Sequence, residues 1–205
     1  VLVHGMRTEA RRVLSSEVLQ ALDIPALTAP EKIANGQVAH IATGLLHPGL
    51  ERLLAVRQVI GLRTPGHSLV KLLAPSQGPA VLVGSYTHPE YVELMLQTLA
   101  QRKMYAVLSR GLEGEVACDP RRQPRYDGVL AGEPLVLAEQ QSGTAAEVPG
   151  LPSAIDVAST AAYTRAVLAG ELPVPAALAQ QVRLIVGVAQ RALDASSSLA
   201  VAPAA

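Results

Sequence analysis

Val1-Leu2-Val3-His4-Gly5-Met6-Arg7-Thr8 opens the chain, and the segment Glu9 to Leu22 follows it. Three apolar residues ahead of a Gly read as a buried strand that ends in a tight turn. From Arg11 to Leu22 the residues Val13, Leu14, Val18, Ala21 and Leu22 recur at helical spacing. The stretch therefore reads strand, Gly turn, helix. In open α/β sheets ligands sit at the carboxyl ends of strands, and a helix N-terminus beside such an end suits an anion. A ligand site is expected from His4 onward.

Working outward, Thr28-Ala29-Pro30-Glu31 is a capping-box pattern that predicts a short helix ending at Asn35-Gly36. Val38 to Leu46 is open between strand and helix. His47-Pro48-Gly49 starts a helix with Leu50, Leu53, Leu54, Arg57 and Ile60 on successive turns, closed by Gly61, with Arg57 near its core-facing edge. His67 to Leu73 resumes a helical pattern. Ala80 to Gly84 and Met104 to Ser109 read as strands, separated by a helix that Thr87-His88-Pro89-Glu90 caps. Strand and helix alternate often enough to predict an α/β fold with a mostly parallel sheet flanked by helices.

Arg110 to Gly128 is a long loop of Gly, Pro and charge, the kind that carries function. Pro134 to Ala138 is expected as an edge strand and 140–152 as a link. Two helices follow, from Ser153-Ala154-Ile155-Asp156 to Gly170 and from Pro175 to Asp194. Leu178, Val182, Ile185, Val186, Ala189 and Leu193 line one face of the second, which predicts an antiparallel hairpin. The expected division is an α/β domain over 1–152, with a helical excursion at about 28–60, then a helical hairpin over 153–195 that contributes to a helical subdomain. A disordered tail is expected over 196–205.

With 205 residues, 49% hydrophobic and 17% charged, the chain is long enough for one ordinary core. Seventeen basic residues balance seventeen acidic ones, so any basic site must be local. The single cysteine, Cys118, excludes an internal disulfide framework and fits a reducing, cytoplasmic setting. No apolar stretch approaches the roughly 20 residues that span a bilayer, so no membrane partner is expected. Phe and Trp are absent and Tyr numbers five, which disfavours a surface that stacks single-stranded bases.

Six segments in order resemble the anthranilate phosphoribosyltransferases and their relatives with the class II nucleoside phosphorylase/phosphoribosyltransferase fold. They are His4-Gly5-Met6-Arg7-Thr8, Ser15 to Leu22, Val56-Arg57, Leu72-Leu73-Ala74-Pro75, Gly84-Ser85-Tyr86-Thr87-His88-Pro89-Glu90 and Arg110-Gly111-Leu112-Glu113-Gly114. The resemblance implies a fragment without the family's N-terminal helical bundle and Gly-rich diphosphate loop. It also implies departures. Where the enzymes resemble Lys-His-Gly-Asn-Arg-Ser, the Lys, Asn and Ser positions hold Val3, Met6 and Thr8. Where their Asp-Glu pair holds magnesium, this chain has Val116-Ala117, after Glu113-Gly114-Glu115. Val and Ala offer no hard oxygen ligand, so no cofactor and no catalytic residue is expected.

Gly66 to Leu73, Ser85 to Glu90 and Arg110 to Glu115 with Asp119-Pro120-Arg121-Arg122 resemble most the YbiB branch of that family. That likeness implies a homodimer that binds DNA without strong sequence preference. Arg121, Arg122 and Arg125 form the densest basic cluster, and Arg7, Arg11 and Arg12 flank the first strand end. Together with Lys71, four residues beyond His67, they are the candidate phosphate contacts, expected from two strand ends on one sheet edge. The bland alternative is a solvated face neutralised by Glu9, Asp119 and Asp127. His4, Gly5, Thr8 and Arg57 are a candidate residual ligand pocket, although His4 could equally serve the structure. The alternative function is a glycosyl or phosphoribosyl transferase for another acceptor, with phosphoribosyl diphosphate and magnesium. His47 and His88 are expected to cap helices, and Cys118 to be non-catalytic.

Overall fold

The computed structural model describes residues 1–9, 11–111 and 115–201. Its internal contacts divide the chain into two units, Val1–Leu73 with Pro149–Pro173, and Ala74–Val148 with the chain from Val174 on. The expected division at residue 152 is not the one seen.

In the first unit β1 (Leu2–Gly5), β2 (Ala26–Leu27) and β3 (Ala39–Ala42) form a parallel sheet in the order β1-β3-β2, with Leu2 opposite Ala39 and Gly5 opposite Ala42. Central β3 is the buried strand, through Ala39, His40 and Ile41. Helix α1 (Ser15–Ala21) begins four residues later than the apolar spacing predicts. Glu17 fixes that start, because its Oε2 takes the Leu14 N–H at 2.8 Å.

The helix predicted from Thr28 to Asn35 does not form. Only Ile33 in that stretch is even partly buried, and a capping pattern without an apolar face to bury gives a nucleus nothing to grow on. Val38 to Leu46 resolves into β3 followed by the single turn α2 (Thr43–Leu46). Helix α3 (Pro48–Ile60) is capped as expected, His47 Nδ1 accepting the Leu50 N–H at 3.0 Å. Then α4 (Gly66–Leu69) tightens into a 3₁₀ turn, Val70–Leu72. This change of pitch takes Lys71 off the helical face that it was expected to share with His67.

The second unit holds β4 (Val81–Tyr86), α5 (Glu90–Gln101), β5 (Tyr105–Arg110), β6 (Tyr126–Leu130) and β7 (Glu133–Ala138), with the sheet order β4-β5-β6-β7. Only β4 and β5 are parallel, and β6 and β7 return antiparallel. The chain is thus α/β, with its parallel strands in two sheets rather than one. No side chain caps α5, against expectation; the His88 ring instead meets Tyr91 edge-on at 6.0 Å.

The two C-terminal helices belong to different units. Helix α6 (Val157–Leu168), capped by Asp156 through the Ser159 N–H at 2.7 Å, packs on α1. Helix α7 (Ala176–Val201) packs on β4, β5 and β6, so each of the two helices finds packing partners within its own unit rather than only in the predicted hairpin. Nor does α7 stop at Asp194. Residues 202–205 of the expected tail lie outside the described residues.

The face α7 buries is turned from the predicted one. Ala177, Gln181, Val188 and Ala192 are buried, whereas Val182, Val186 and Leu193 are exposed. Gln181 explains the rotation. Its Oε1 takes the Cys118 N–H at 3.0 Å and its Nε2 donates to the Val116 carbonyl at 2.8 Å, so a polar side chain is buried with both ends satisfied. Val107, Cys118, Tyr126, Ala177 and Val188 close the core around it.

Candidate functional site

At the carboxyl end of β1 the chain leaves Gly5 into a loop that carries Arg7, Glu9, Arg11 and Arg12. Arg12 Nε pairs with Glu9 Oε2 at 2.6 Å, and Arg57 Nη2, from the last turn of α3, with Glu9 Oε1 at 2.8 Å. Arg7 Nη2 pairs with Glu17 Oε1 at 2.6 Å, and its Nη1 donates to the Arg12 carbonyl at 2.9 Å. Three of the predicted phosphate or pocket residues are therefore brought together, and each is already engaged by a carboxylate. Arg11 is exposed and Thr8 half-buried.

Both glutamates are held below the ordinary carboxylate range. Desolvation pushes Glu9 upward, but the charges and hydrogen bonds of Arg57 and Arg12 outweigh it. For Glu17 the Leu14 N–H acts first, then Arg7.

His4 turns to the structure rather than outward, its Nε2 lying 3.2 Å from the Leu73 carbonyl. With Nε2–H donating there, Nδ1 is left buried and without a partner among the described residues, as are His40 Nδ1 and Thr43 Oγ1. His67 Nδ1 accepts the Thr64 N–H at 3.1 Å, and its buried Nε2 has no partner among the described residues.

Burial, the largest cause at each, holds His4, His40 and His67 below their ordinary pKa. The unfolded chain protonates near pH 6.5 while the folded one resists, so stability is complete above that pH and falls as pH drops below it. Glu9, Glu17, Asp119 and Asp156, all held low, keep their charge in the same window. The urea midpoint should accordingly be lower at pH 5.5 than at pH 7.5. His4→Gln combined with His40→Gln should remove most of that difference; equal wild-type midpoints would refute it.

In the second unit Arg121, Arg122 and Arg125 lie in the segment joining β5 to β6. Ser109 pairs with both Ser85 and Tyr126, so this segment sits at the carboxyl ends of the parallel pair β4 and β5. Arg121 grips Asp119 through Nε at 3.0 Å and Nη2 at 3.3 Å. Arg125 Nε takes Asp127 Oδ1 at 2.8 Å, with Glu139 at 3.7 Å. Arg121 is 53% exposed and Arg125 47%, so their outer faces still meet solvent. Arg122 is exposed, and no carboxylate pairs with it among the described residues.

Arg110 was passed over in the sequence, although it ends β5 opposite Tyr86 at this same end, exposed and likewise without a paired carboxylate among the described residues. Its position as the last residue of an apolar strand run was the available signal. The two arginine clusters follow strands of different sheets, not one sheet edge as expected. Cys118 is buried, and burial pushes its thiol up. No helix among the described residues is long and apolar enough to cross a membrane.

No protein-family model matches the chain. The protein of Escherichia coli K12 that is named Uncharacterized protein YbiB is 32% identical over 205 residues, a match covering 98% of this chain and 63% of that one. Anthranilate phosphoribosyltransferase of Desulfatibacillum aliphaticivorans is 28% identical over 179 residues, 83% of this chain and 52% of the enzyme. The Verminephrobacter eiseniae enzyme is 34% identical over 101 residues, 47% of this chain and 29% of the enzyme. These similarities support a phosphoribosyltransferase-like fold for the chain. The chain spans less than two thirds of these relatives' lengths.

The similarity to those enzymes makes the substituted positions informative. Val3 lies within β1, where a Lys would bring an ammonium to the strand end and Val brings none. Val116 and Ala117 present no side-chain oxygen, and the Val116 carbonyl already accepts from Gln181. Among the described residues no group of three His, Cys, Asp or Glu could hold a metal ion, and Glu113 lies outside them. The residues present do not fit the family's magnesium.

Proposed function

We propose that this chain binds nucleic acid, DNA foremost, through sequence-independent phosphate contacts, and that it does not transfer phosphoribose to anthranilate. The supporting observation is the arginine-bearing end of the second unit, where Arg110, Arg121, Arg122 and Arg125 are all exposed. Two of them have no paired carboxylate among the described residues, and the other two are held in fixed orientation by Asp119 and Asp127. Phosphates of a duplex need such charge without any base-reading groups. Arg7, Arg11, Arg12 and Lys71 in the first unit are further phosphate contacts in this reading, and the protein acts as a cytoplasmic homodimer.

Salt dependence tests the reading. The four arginines of the second unit, meeting four phosphates, should by themselves contribute a roughly 100-fold loss of affinity for random-sequence duplex between 50 and 200 mM salt. Arg110→Ala with Arg122→Ala should reduce that to roughly tenfold. Affinity independent of salt would reject the proposal. A second reading, glycosyl or phosphoribosyl transfer to another acceptor, draws on the unpartnered His4 Nδ1 at the end of β1. A rise in melting temperature with phosphoribosyl diphosphate would favour it, and no rise would leave it unsupported.

A further inference from the structure

The Glu9 carboxylate occupies the place of an oxyanion ligand. Its two oxygens are taken by guanidiniums from two separate elements, Arg12 at 2.6 Å from the loop after β1 and Arg57 at 2.8 Å from α3. Guanidiniums converging in this way bind a phosphate as readily as a carboxylate, because both present paired oxygens to a planar donor fork.

Glu17, the other glutamate of the cluster, is also tied to the Leu14 N–H that starts α1, so releasing it would cost the helix its first turn. No backbone N–H is bonded to the Glu9 carboxylate among the described residues. Its partners are the two guanidiniums, and its side chain is 40% exposed. Glu9 can therefore leave without unmaking an element of the fold. Three guanidiniums against two carboxylates, with Arg11 beside them, leave the cluster positive even while Glu9 is in place.

We infer that Glu9 is a built-in competitor at an anion site formed by Arg12 and Arg57, and that a phosphate group enters by displacing its carboxylate. This rests on the phosphate-binding reading above and adds a regulating contact to it. The incoming group and Glu9 exclude each other at the same nitrogens, so anything that neutralises Glu9 strengthens phosphate binding.

The test compares wild type, Glu9→Gln and Glu31→Gln, the last removing an equal charge from an exposed loop position of the same unit. Each is titrated with inorganic phosphate at constant ionic strength, followed by melting temperature, and with random-sequence duplex, followed by affinity. Glu9→Gln should bind inorganic phosphate about three- to fivefold more tightly, the scale of one exposed ion pair, while Glu31→Gln matches wild type. Equal phosphate affinity in Glu9→Gln and wild type, or an equal gain in Glu31→Gln, would overturn the inference. The duplex arm separates the two claims. Salt-sensitive duplex binding with no gain from Glu9→Gln in either arm rejects the competitor and keeps the nucleic-acid reading. A phosphate gain with no duplex binding in any variant keeps the competitor and rejects that reading.

Discussion

Tyr126→Ala should lower the free energy of unfolding by about 3–5 kcal/mol, the usual cost of emptying a buried aromatic site. Tyr126 is the largest of the fully buried side chains, and its ring joins β6 to Cys118 in the loop before it and to Ala177 and Val188 of α7. Urea denaturation followed by far-UV circular dichroism would measure the loss. Tyr126→Phe is the informative control. The hydroxyl lies against the Cys118 thiol and has no nitrogen or oxygen partner among the described residues, so its removal should cost under about 1 kcal/mol. Because the segment that carries Arg121, Arg122 and Arg125 leads into Tyr126, the duplex binding proposed for it should be lost together with stability in the Ala variant. A Phe variant as unstable as the Ala variant would mean that the hydroxyl, not the ring, holds the site.

Gly111→Ala should cost about 1–3 kcal/mol, the range for forcing extra atoms into a packed place. A Cβ at Gly111 would collide with the Glu115 carbonyl oxygen and lie 2.9 Å from Ser85 Cβ, so the backbone itself must give way. Ser85 is fully buried and paired in register with Ser109, which leaves it no room to yield. Gly5→Ala should behave oppositely. Nothing lies within 4 Å of a Cβ there, and Gly5 does not have a positive φ, so the change should be neutral or stabilise by about 0.5 kcal/mol. Chemical denaturation of the two variants side by side decides the matter. If Gly5→Ala were the costlier, the arrangement of both strand ends would be wrong.

Those two glycines show how far a sequence reading reaches. Gly5 follows three apolar residues and reads as the turn that ends a strand, yet β1 continues through it. Gly111 sits in a polar stretch and reads as one loop glycine among several, yet a Cβ there would meet Glu115 and Ser85. Space around a Cα is set by what the chain brings back to it, and no local pattern records that.

Strand β6 is the same lesson on a larger scale. Tyr126-Asp127-Gly128 has the composition of a loop, and the hairpin turn at Ala131-Gly132, with φ of 53° and 96°, carries no strong turn signature. Asp127 enters the interior because Arg125 and Tyr86 meet its carboxylate, the latter at 3.5 Å. The wrong face chosen for α7 has a related cause. Val182, Val186 and Leu193 are more apolar than Gln181, but only Gln181 can satisfy the backbone at Cys118 and Val116.

What the amino-acid order determined unaided was the α/β class, the strands and helices with strong apolar periods, the helix caps at His47 and Asp156, and a phosphoribosyltransferase-like resemblance through short segments in register. These depend on neighbours a few residues apart, and their physics is local. Tertiary structure alone decided that the parallel strands fall in two sheets, that α6 and α7 serve different units, and that Arg7, Arg12 and Arg57 meet Glu9 and Glu17. Charges separated by as many as 48 residues find one another only after the chain has folded, so whether an arginine is open or engaged is a property of the fold.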